Sequence, residues 1–389
     1  MTDRQFDIIV YGASGFTGRL VAEYMHQQYG RSVNWAMAGR NQAKLADVRA
    51  EMGISEETPL VVADADDAAS LAAMAASTKV LLTTVGPYQL YGSDVVAACV
   101  AAGTDYVDLS GEPGWMHDTI AAHDAAAKAS GARIVHSCGF DSIPFDLGVY
   151  YVQQAAQEKF GTPCSQIRGR VRAMNGEFSG GTAASLGATM AALAKNPDLL
   201  AVLANPFSLA NGHQGPEQPA DNAPYEDEAT GMWVAPFIMA PINTKNVHRS
   251  NALLGHAYGK DFLYDEMMVT GAGDEGKAMA EFVATTNPLE GDDVPQPGEG
   301  PDKASREAGN YDVLFIGTSA SGERIEAAVG GDLDPGYGST SKMIAESAMC
   351  LLQDSDGVAG GVLTPAAAMG EKLITRLVDK AGLYFKIES

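Results

Sequence analysis

The N-terminal segment joins a buried-strand pattern to a glycine-rich turn. Residues 6–11 are apolar apart from Asp7, glycines follow at three-residue intervals, and a helical pattern begins at once. In a dinucleotide fold the first glycine permits a tight turn, the second lets the backbone approach a pyrophosphate, and the third allows close packing of helix on strand. The helix N-terminus then faces the phosphates. The residues that we expect at a bound dinucleotide are Gly12, Ser14, Gly15, Phe16, Thr17 and Gly18.

The end of the second predicted strand indicates which dinucleotide is bound. The strand pattern 33–39 ends at Gly39 and is followed by Arg40 and Asn41, with Lys44 one helical turn further on. An NAD site would place Asp or Glu about 20 residues past the glycines to bind the ribose 2′-hydroxyl. Arg40 can instead pair with a 2′-phosphate and stack on adenine. We therefore predict NADP(H), with a surface position for Arg40 as the alternative.

Strands and helices alternate through the first third of the chain. The strand patterns lie at 6–11, 33–39, 59–63, 80–85, 106–109 and 133–136, with helical patterns between them. This alternation indicates βαβ crossovers and therefore a parallel sheet with helices on both faces. Six such strands complete a doubly wound dinucleotide-binding domain of the α/β class. We predict this domain over residues 1–144.

The pattern changes after Pro144. Strand patterns at 166–174, 234–239 and 262–270, a hairpin pattern at 311–318 and 324–329, and helical patterns at 145–160, 180–194 and 342–352 follow without regular alternation. Two further stretches, 205–231 and 292–306, have the composition of long loops. Separate strands and helices indicate an α+β domain. We predict a substrate or oligomerisation domain over residues 145–335.

Charge and cysteine content exclude several kinds of partner. Asp and Glu number 49 against 26 Lys and Arg, a net charge of −23, so nucleic-acid binding is not expected. The four cysteines are scattered and no metal-ligand spacing occurs, so we predict neither disulfides nor a metal site. No apolar run approaches the ~18 residues of a membrane span. Without a signal-peptide pattern before the first strand, we expect a cytoplasmic protein.

Motifs along nearly the whole chain resemble those of the saccharopine dehydrogenase-like oxidoreductases. They are GASGFTG (12–18), AGRN (38–41), GPY (86–88), YG (91–92), DYVDLSGE (105–112), CGFDSIP (138–144), SGGT (179–182) and DPGYG (334–338). Within that family the chain is most similar to the branch of trans-acting enoyl reductases. The resemblance implies a Rossmann domain, a second α/β domain and an NADP-type cofactor. It also implies that a C-terminal helical segment, 336–389, packs back on the Rossmann domain.

Residues that follow the strands are candidate site residues, because α/β sheets bind ligands outside the carboxyl ends of their strands. Tyr88 and Tyr337 are candidate proton donors, and Tyr91 is expected at the substrate. Tyrosines at a sheet edge also serve as packing residues, and that alternative stays open. Besides the glycine loop, the residues expected at the cofactor are Gly39, Arg40, Asn41, Lys44, Asp64, Gly86 and Pro87.

A strongly apolar stretch, 233–242, is followed by Asn243, Lys245, His248 and Arg249. An apolar wall that ends in cations suits an acyl chain with a phosphate or carboxylate group. A buried strand with a solvated exit explains the same pattern. The candidate substrate residues from this stretch are Trp233, Phe237, Asn243 and Arg249.

Three functions fit these patterns. We predict hydride transfer from NADPH to an activated double bond of a small molecule such as an acyl thioester. The alternatives are an imine reductase acting on an amino-acid conjugate, with Arg168, Arg170 and Arg172 binding carboxylates, and a non-catalytic NADPH sensor or scaffold. A short-chain dehydrogenase is excluded because no tyrosine precedes a lysine by four residues. A homodimer is left open.

Overall fold

Two seven-stranded sheets organise the part of the chain that the computed structural model describes, residues 4–177, 180–286 and 298–389. Residues 1–3, Ser179 of the SGGT motif and 292–297 of the second predicted loop lie outside it. The strands are β1 Phe6–Tyr11, β2 Trp35–Gly39, β3 Leu60–Val62, β4 Thr78–Thr83, β5 Asp105–Val107, β6 Arg133–Val135, β7 Cys164–Asn175, β8 Tyr225–Asp227, β9 Met232–Pro236, β10 Leu263–Gly271, β11 Asn310–Ser319, β12 Arg324–Gly331, β13 Gly361–Leu363 and β14 Leu383–Ile387.

Helices connect and cover these strands. They are α1 Phe16–Tyr29, α2 Gln42–Glu51, α3 Ala68–Ser77, α4 Tyr88–Tyr91, α5 Ser93–Ala102, α6 Pro113–Ser130, α7 Ile143–Phe160, α8 Gly180–Lys195, α9 Leu199–Ala204, α10 Ala240–Leu253, α11 Gly273–Thr285, α12 Lys303–Ala308, α13 Thr340–Gln353, α14 Pro365–Ala368 and α15 Gly370–Arg376. Two π-helical turns span Pro335–Ser339 and Leu377–Ala381. Within the described ranges no helix is long and apolar enough to cross a membrane.

The first sheet is parallel throughout and has the order β13-β6-β5-β4-β1-β2-β3. Strand β1 lies between β2 and β4, with Ile8 beside Trp35 of β2 and Val80 of β4. The strand order reverses at this point, which is where a doubly wound sheet opens a ligand crevice. The predicted α/β fold is confirmed. The additional edge strand β13, which was not predicted, comes from the C-terminal part of the chain, far from the six alternating strands.

The second sheet is mixed and has the order β14-β12-β11-β7-β10-β9-β8. Its long central strand β7 pairs antiparallel with β11 and parallel with β10. Helix α7 leaves β6 of the first sheet and packs on β11, where Gly148 lies directly against the Phe315 ring. This sheet confirms a second domain of strands and helices.

The C-terminal part of the chain contacts both sheets. Helix α13 packs on α1 and β4, and β13 then extends the first sheet beside β6. Strand β14 instead pairs with β12 in the second sheet. We therefore keep the division into residues 1–144, 145–335 and 336–389 as a proposal.

A buried polar cluster fastens α13 to its neighbours. The Glu346 carboxylate accepts hydrogen bonds from Tyr24 (2.8 Å) and Tyr29 (2.5 Å) of α1. The Arg376 guanidinium of α15 donates to the same carboxylate at 3.1 Å. Because Glu346 is fully buried, these three donors are what makes its charge tolerable there.

Several segments differ from the sequence-based prediction. The predicted strand 234–239 ends at Pro236, and helix α10 follows where a solvated exit was expected. Helix α11 was not predicted, and β8 lies inside the stretch 205–231 that was expected to be loop. A hydrophobic pattern does not reveal the burial of α10, because most of its buried side chains are polar.

Candidate active site

The glycine loop has the geometry that a dinucleotide requires. Gly12 has φ +89°, and a Cβ there would lie 2.8 Å from Thr84 Oγ1. A Cβ on Gly18 would lie 2.1 Å from the Gly12 carbonyl oxygen, so helix and strand approach too closely for any side chain. A Cβ on Gly15 would meet only the Gly12 carbonyl, at 3.3 Å. Gly15 is exposed, which leaves room for a phosphate to approach the backbone.

Helix α1 begins at this loop without a side-chain cap. Its N-cap is Gly15, no side chain accepts a hydrogen bond from its first turn, and that turn holds no acidic residue. The N–H groups of a first helical turn need acceptors, and a pyrophosphate supplies them. The loop therefore fits the diphosphate of NADP(H), with Ser14, Phe16 and Thr17 next to it.

The adenosine end of the predicted site is formed by the ends of β2 and β3. Arg40 is exposed, and the Asn41 side chain accepts a hydrogen bond from the Lys44 backbone at the start of α2. Burial, with a smaller contribution from the Asp64 carboxylate, raises the pKa of Tyr11 to about 12, and the Arg40 guanidinium opposes this rise. Arg40 and Asp64 thus both lie near enough to Tyr11 to influence its hydroxyl. Gly39, Arg40, Asn41, Lys44 and Asp64 are brought together as predicted, and their role at the cofactor stays a prediction.

A cavity of about 470 Å³ opens beside the glycine loop. One wall follows the carboxyl ends of β4, β5 and β6 and includes Gly86, Gly111 and Gly139. The opposite wall comes from α8, the start of α10 and the π-helical turn Pro335–Ser339. Thr17 of the loop also lines the cavity, so the nucleotide loop and the cavity are continuous. This is where the substrate of a nucleotide-dependent enzyme would meet its cofactor.

Of the predicted catalytic residues, Tyr88 lines the cavity, but its hydroxyl has partners. It donates to the Thr83 carbonyl at 3.2 Å and accepts from the Leu109 backbone at 3.0 Å. The ring stacks on Trp115, with centroids 5.5 Å apart. Burial raises the pKa of Tyr88 well above its usual value. This arrangement favours a packing role, in which Tyr88 holds the ends of β4 and β5 together.

Tyr337 also lines the cavity, from the opposite wall. Its hydroxyl lies 3.1 Å from Thr182 Oγ1 of α8, and its ring contacts Phe16 edge-on at 5.2 Å. The Asp334 carboxylate accepts from the Tyr337 backbone at 2.8 Å and fixes the turn. Tyr337 therefore connects the glycine loop to α8 across the mouth of the cavity.

The predicted substrate residues lie away from this cavity. Phe237 is buried against Phe145, Tyr91 is exposed on the surface of α4, and Trp233 contacts Lys277 of α11. Arg249 is buried and donates to backbone carbonyls and to Asn211, and it is not a solvated cation. The helical course of α10 turns its side chains inward, which corrects the expected solvated exit.

Asn243 has a supporting position behind the cavity. Its amide donates to Glu266 at 2.9 Å and accepts from the Ser142 hydroxyl at 3.0 Å. Burial raises the pKa of Glu266 to about 8. The resulting network connects α10, β10 and the segment that follows β6.

Two cavity residues, Asp141 and Lys245, were not among the predicted site residues. Asp141 follows β6, and burial raises its pKa to about 6. Lys245 lies on α10, and burial lowers its pKa to about 8. Asp141 was recognisable as a residue facing the crevice from its place after a strand. Lys245 was noted among the cations after the apolar stretch 233–242 but was not selected as a site residue, since its helix was not predicted.

A third ionisable group, Glu112, is part of the cavity wall. It accepts hydrogen bonds from the backbone of Tyr88 (2.9 Å) and Gln89 (2.8 Å) and from the Ser185 hydroxyl (3.0 Å). Glu112 therefore caps α4 and connects it to α8.

No group of metal-ligating side chains occurs in the described part of the chain.

Comparisons with known proteins agree with this architecture. Residues 8–135 match the saccharopine dehydrogenase NADP-binding domain. The chain is 42% identical, over 97% of its length and 96% of the relative, to a putative trans-acting enoyl reductase of Mycobacterium tuberculosis. It is 37% identical to a trans-acting enoyl reductase of Mycobacterium ulcerans, over 96% of each protein. A solved saccharopine dehydrogenase (L-Glu forming) of Saccharomyces cerevisiae shares the fold, with a TM-score of 0.55 and 11% identity over 98% of this chain and 99% of that one.

Sequence identity at this level over nearly the whole chain establishes kinship, and the glycine loop supplies the matching cofactor geometry. The chain therefore belongs to the trans-acting enoyl reductase family and is an oxidoreductase that uses NADP(H) through a saccharopine dehydrogenase-type binding domain.

Proposed function

We propose that the protein reduces the carbon–carbon double bond of an α,β-unsaturated acyl thioester with NADPH. The observation that carries this proposal is the cavity itself, which adjoins the glycine loop and has largely apolar walls. Its apolar side chains come from both walls and are Leu109, Phe140, Met174, Leu203, Ile238, Met239 and Ile242. Such walls suit an acyl chain and keep water from the reacting carbons. The names of the relatives point to the same chemistry.

Lys245 is the group that we assign to the substrate carbonyl. Its ammonium donates to the Leu203 carbonyl at 2.8 Å and to the Pro241 carbonyl at 3.0 Å. An ammonium has three N–H donors, so one remains for an acceptor in the cavity. A pKa of about 8 leaves most of the group charged at neutral pH. Donation to the thioester oxygen would stabilise the negative charge that develops there during reduction.

The bound cofactor supplies the hydride, and the chain has to position the acyl group beside it. The apolar walls hold the chain of the substrate, and Lys245 fixes its carbonyl. Tyr337 and Thr182 narrow the mouth of the cavity next to Phe16 of the glycine loop. An acyl group held by these contacts would extend along the carboxyl ends of β4, β5 and β6.

The imine alternative has less support at this cavity. Arg170 is buried in ion pairs with Asp227 (3.0 Å) and Asp265 (2.7 Å). Arg172 pairs with the carboxylates of Asp312 on β11 and of Glu388, which follows β14. Neither these arginines nor Arg168 is among the described residues that line the cavity, whose one basic side chain is a lysine. An amino-acid conjugate with several carboxylates would lack charged partners there.

A sensor without catalysis is also less well supported, because the cavity leaves open space next to the glycine loop.

A cytoplasmic location and a homodimer complete the proposal. The four cysteines are free and buried, as is typical of proteins in reducing compartments. Met279 and Phe282 are exposed on α11 and offer an apolar face to a second copy. Sedimentation equilibrium tests the dimer, and a monomer at micromolar concentration would contradict it.

Consumption of NADPH with a panel of substrates tests the proposed reaction. The panel contains enoyl thioesters of increasing chain length and, separately, 2-oxoacids mixed with amino acids. We expect turnover with the thioesters and a lower KM for longer chains, because they bury more apolar surface. Turnover confined to the oxoacid and amine mixtures would support the imine alternative instead.

A further inference from the structure

Asp141 lies in the cavity wall on the short segment between β6 and α7. Opposite it is Gly111, where a Cβ would come 3.5 Å from one Asp141 carboxylate oxygen. Gly111 follows β5, so the carboxyl group lies between the carboxyl ends of two parallel strands. The glycine loop, which follows β1, lies at the same edge of the sheet.

The residues on both sides of Asp141 are held by other elements. The Phe140 backbone donates to Thr340 Oγ1 of α13 at 2.9 Å. Ser142 Oγ donates to Asn243 at 3.0 Å and accepts from Asn246 at 2.7 Å, both on α10. A group anchored in this way keeps its position while the substrate reacts. The buried network of Asn243 therefore contributes to the site, because it fixes Ser142, the residue next to Asp141.

The Asp141 carboxyl group itself has no hydrogen bond or ion pair to any residue that the structure describes. The other titratable side chains that line the cavity are Tyr88, Glu112, Glu177, Lys245 and Tyr337. The Tyr88 hydroxyl forms a hydrogen bond with a backbone carbonyl. The Glu112 carboxylate accepts hydrogen bonds from a backbone N–H and from the Ser185 hydroxyl. Tyr337 contacts Thr182, and Glu177 is exposed at the rim. Asp141 is thus the acid in this wall whose proton has no competing acceptor.

We propose that Asp141 is the proton donor to the α carbon of the substrate, in place of the tyrosines that the sequence suggested. The inference rests on the proposed enoyl reduction. Hydride adds to the β carbon, and the electrons of the double bond move onto the thioester oxygen to give an enolate. The α carbon of the enolate then takes the proton of the Asp141 carboxyl group, whose O–H electron pair stays on the carboxylate. Water returns a proton to Asp141, and the hydride that NADPH would supply accounts for the two electrons of the reduction.

The pH dependence of turnover follows from this assignment. A general acid must be protonated, and burial raises the pKa of Asp141 to about 6. The turnover number should therefore be highest below this pKa and fall as the pH rises through it. Lys245 produces a second fall near pH 8, when its ammonium loses a proton. Burial also raises the pKa values of Glu112 and Tyr88, which form hydrogen bonds with backbone groups.

The test compares Asp141→Asn and Asp141→Glu with the wild-type protein and with Asp118→Asn, an exposed aspartate of α6, as the control. The probes are the crotonyl and dodecenoyl thioesters of coenzyme A with NADPH. Asp141→Asn should lower kcat by about 10²- to 10⁴-fold, the usual contribution of a general acid, with unchanged NADPH affinity and an unchanged melting temperature. It should also abolish the fall near pH 6. In Asp141→Glu the turnover number should still fall with rising pH, but at a shifted pH. Asp118→Asn should behave as wild type.

The outcomes separate the two proposals. A wild-type protein that reduces neither thioester overturns the enoyl reductase function and the role of Asp141 together. A wild-type protein that reduces them, with Asp141→Asn equally fast or with the fall near pH 6 retained, overturns the role of Asp141 alone. If Asp141→Asn does not fold, Asp141→Glu decides, because a pH profile identical to wild type would then refute the assignment.

Discussion

The two glycines at the start of α1 have different tasks, and alanine at each should have a different effect. At Gly18 the added Cβ would lie 2.1 Å from the Gly12 carbonyl oxygen and 2.8 Å from Thr84 Oγ1. These are backbone and buried contacts, so α1 must move by about 1 Å in a close-packed interior. At Gly15 the Cβ would lie 3.3 Å from the Gly12 carbonyl and would otherwise point to solvent.

The size of each effect follows from these distances. Overpacking of this kind costs about 1–3 kcal/mol, which lowers the melting temperature of a domain of this size by roughly 2–10 °C. Gly18→Ala should therefore melt early. Gly15→Ala should melt as wild type, because Gly15 has φ −80° and ψ 173°, an extended conformation that alanine adopts. Its Cβ instead takes the space through which the pyrophosphate approaches, so NADPH affinity should fall about 10-fold or more, which is 1.4 kcal/mol or more.

Thermal unfolding with and without NADPH measures both effects. A ligand at 100 times its Kd stabilises the folded state by about 2.7 kcal/mol, so saturating NADPH should raise the melting temperature of the wild-type protein. This rise should shrink in Gly15→Ala. If Gly15→Ala binds NADPH as tightly as wild type, the role of Gly15 in the approach of the pyrophosphate is refuted. If Gly18→Ala melts at the wild-type temperature, the role of Gly18 in packing is refuted.

Other predictions concern the cofactor, the substrate and the C-terminal helix. Arg40→Ala should weaken NADPH binding by about 10- to 100-fold in calorimetry and leave NADH binding unchanged, because a charge-assisted contact to the 2′-phosphate is lost; equal losses for both cofactors would contradict the NADP site. Lys245→Met should lower kcat/KM for enoyl thioesters by about 10- to 100-fold, whereas Lys260→Met, an exposed lysine, should have no effect. Glu346→Ala should lower the urea-derived free energy of unfolding by about 3–5 kcal/mol, because it leaves the Arg376 guanidinium without its buried partner; a loss below about 1 kcal/mol would refute this role.

The first sheet could be predicted because its strands repeat one simple unit. Apolar runs such as Phe6–Tyr11 are fully or nearly buried between helices, and their burial leaves a continuous pattern in the sequence. The same rule located the glycine loop and Arg40 at the carboxyl ends of strands. Strand β13 was not predicted because it lies at 361–363, outside the alternating strands and helices that revealed the other six strands.

Helix α10 could not be predicted for the opposite reason. Residues such as Asn243, Lys245 and Arg249 are buried, and hydrogen bonds to partners far along the chain compensate their polarity. A hydrophobic pattern cannot show burial of this kind, so the sequence suggested a solvated exit. Of the apolar segment before it, Ile238, Met239 and Ile242 line the cavity, whereas Phe237 packs in the core against Phe145.

The composition of the cavity depends on contacts between segments far apart in sequence. Asp141 and Lys245 are 104 positions apart, and only the packing of α10 against the end of β6 brings both to one cavity. Tyr88 was a reasonable candidate from its position after β4. The structure shows that its hydroxyl is shared between two backbone groups, which no sequence pattern reveals.

Transfer of a deuterium label tests the central claim most directly. NADPH deuterated at the transferable C4 position is incubated with the protein and an enoyl thioester, and the acyl product is analysed by mass spectrometry and NMR. Hydride transfer to an activated double bond predicts one deuterium on the β carbon of the saturated product for each NADPH consumed. An acyl product without the label, or label recovered only in a secondary amine formed from a 2-oxoacid and an amino acid, would contradict the assignment of this cavity to enoyl reduction.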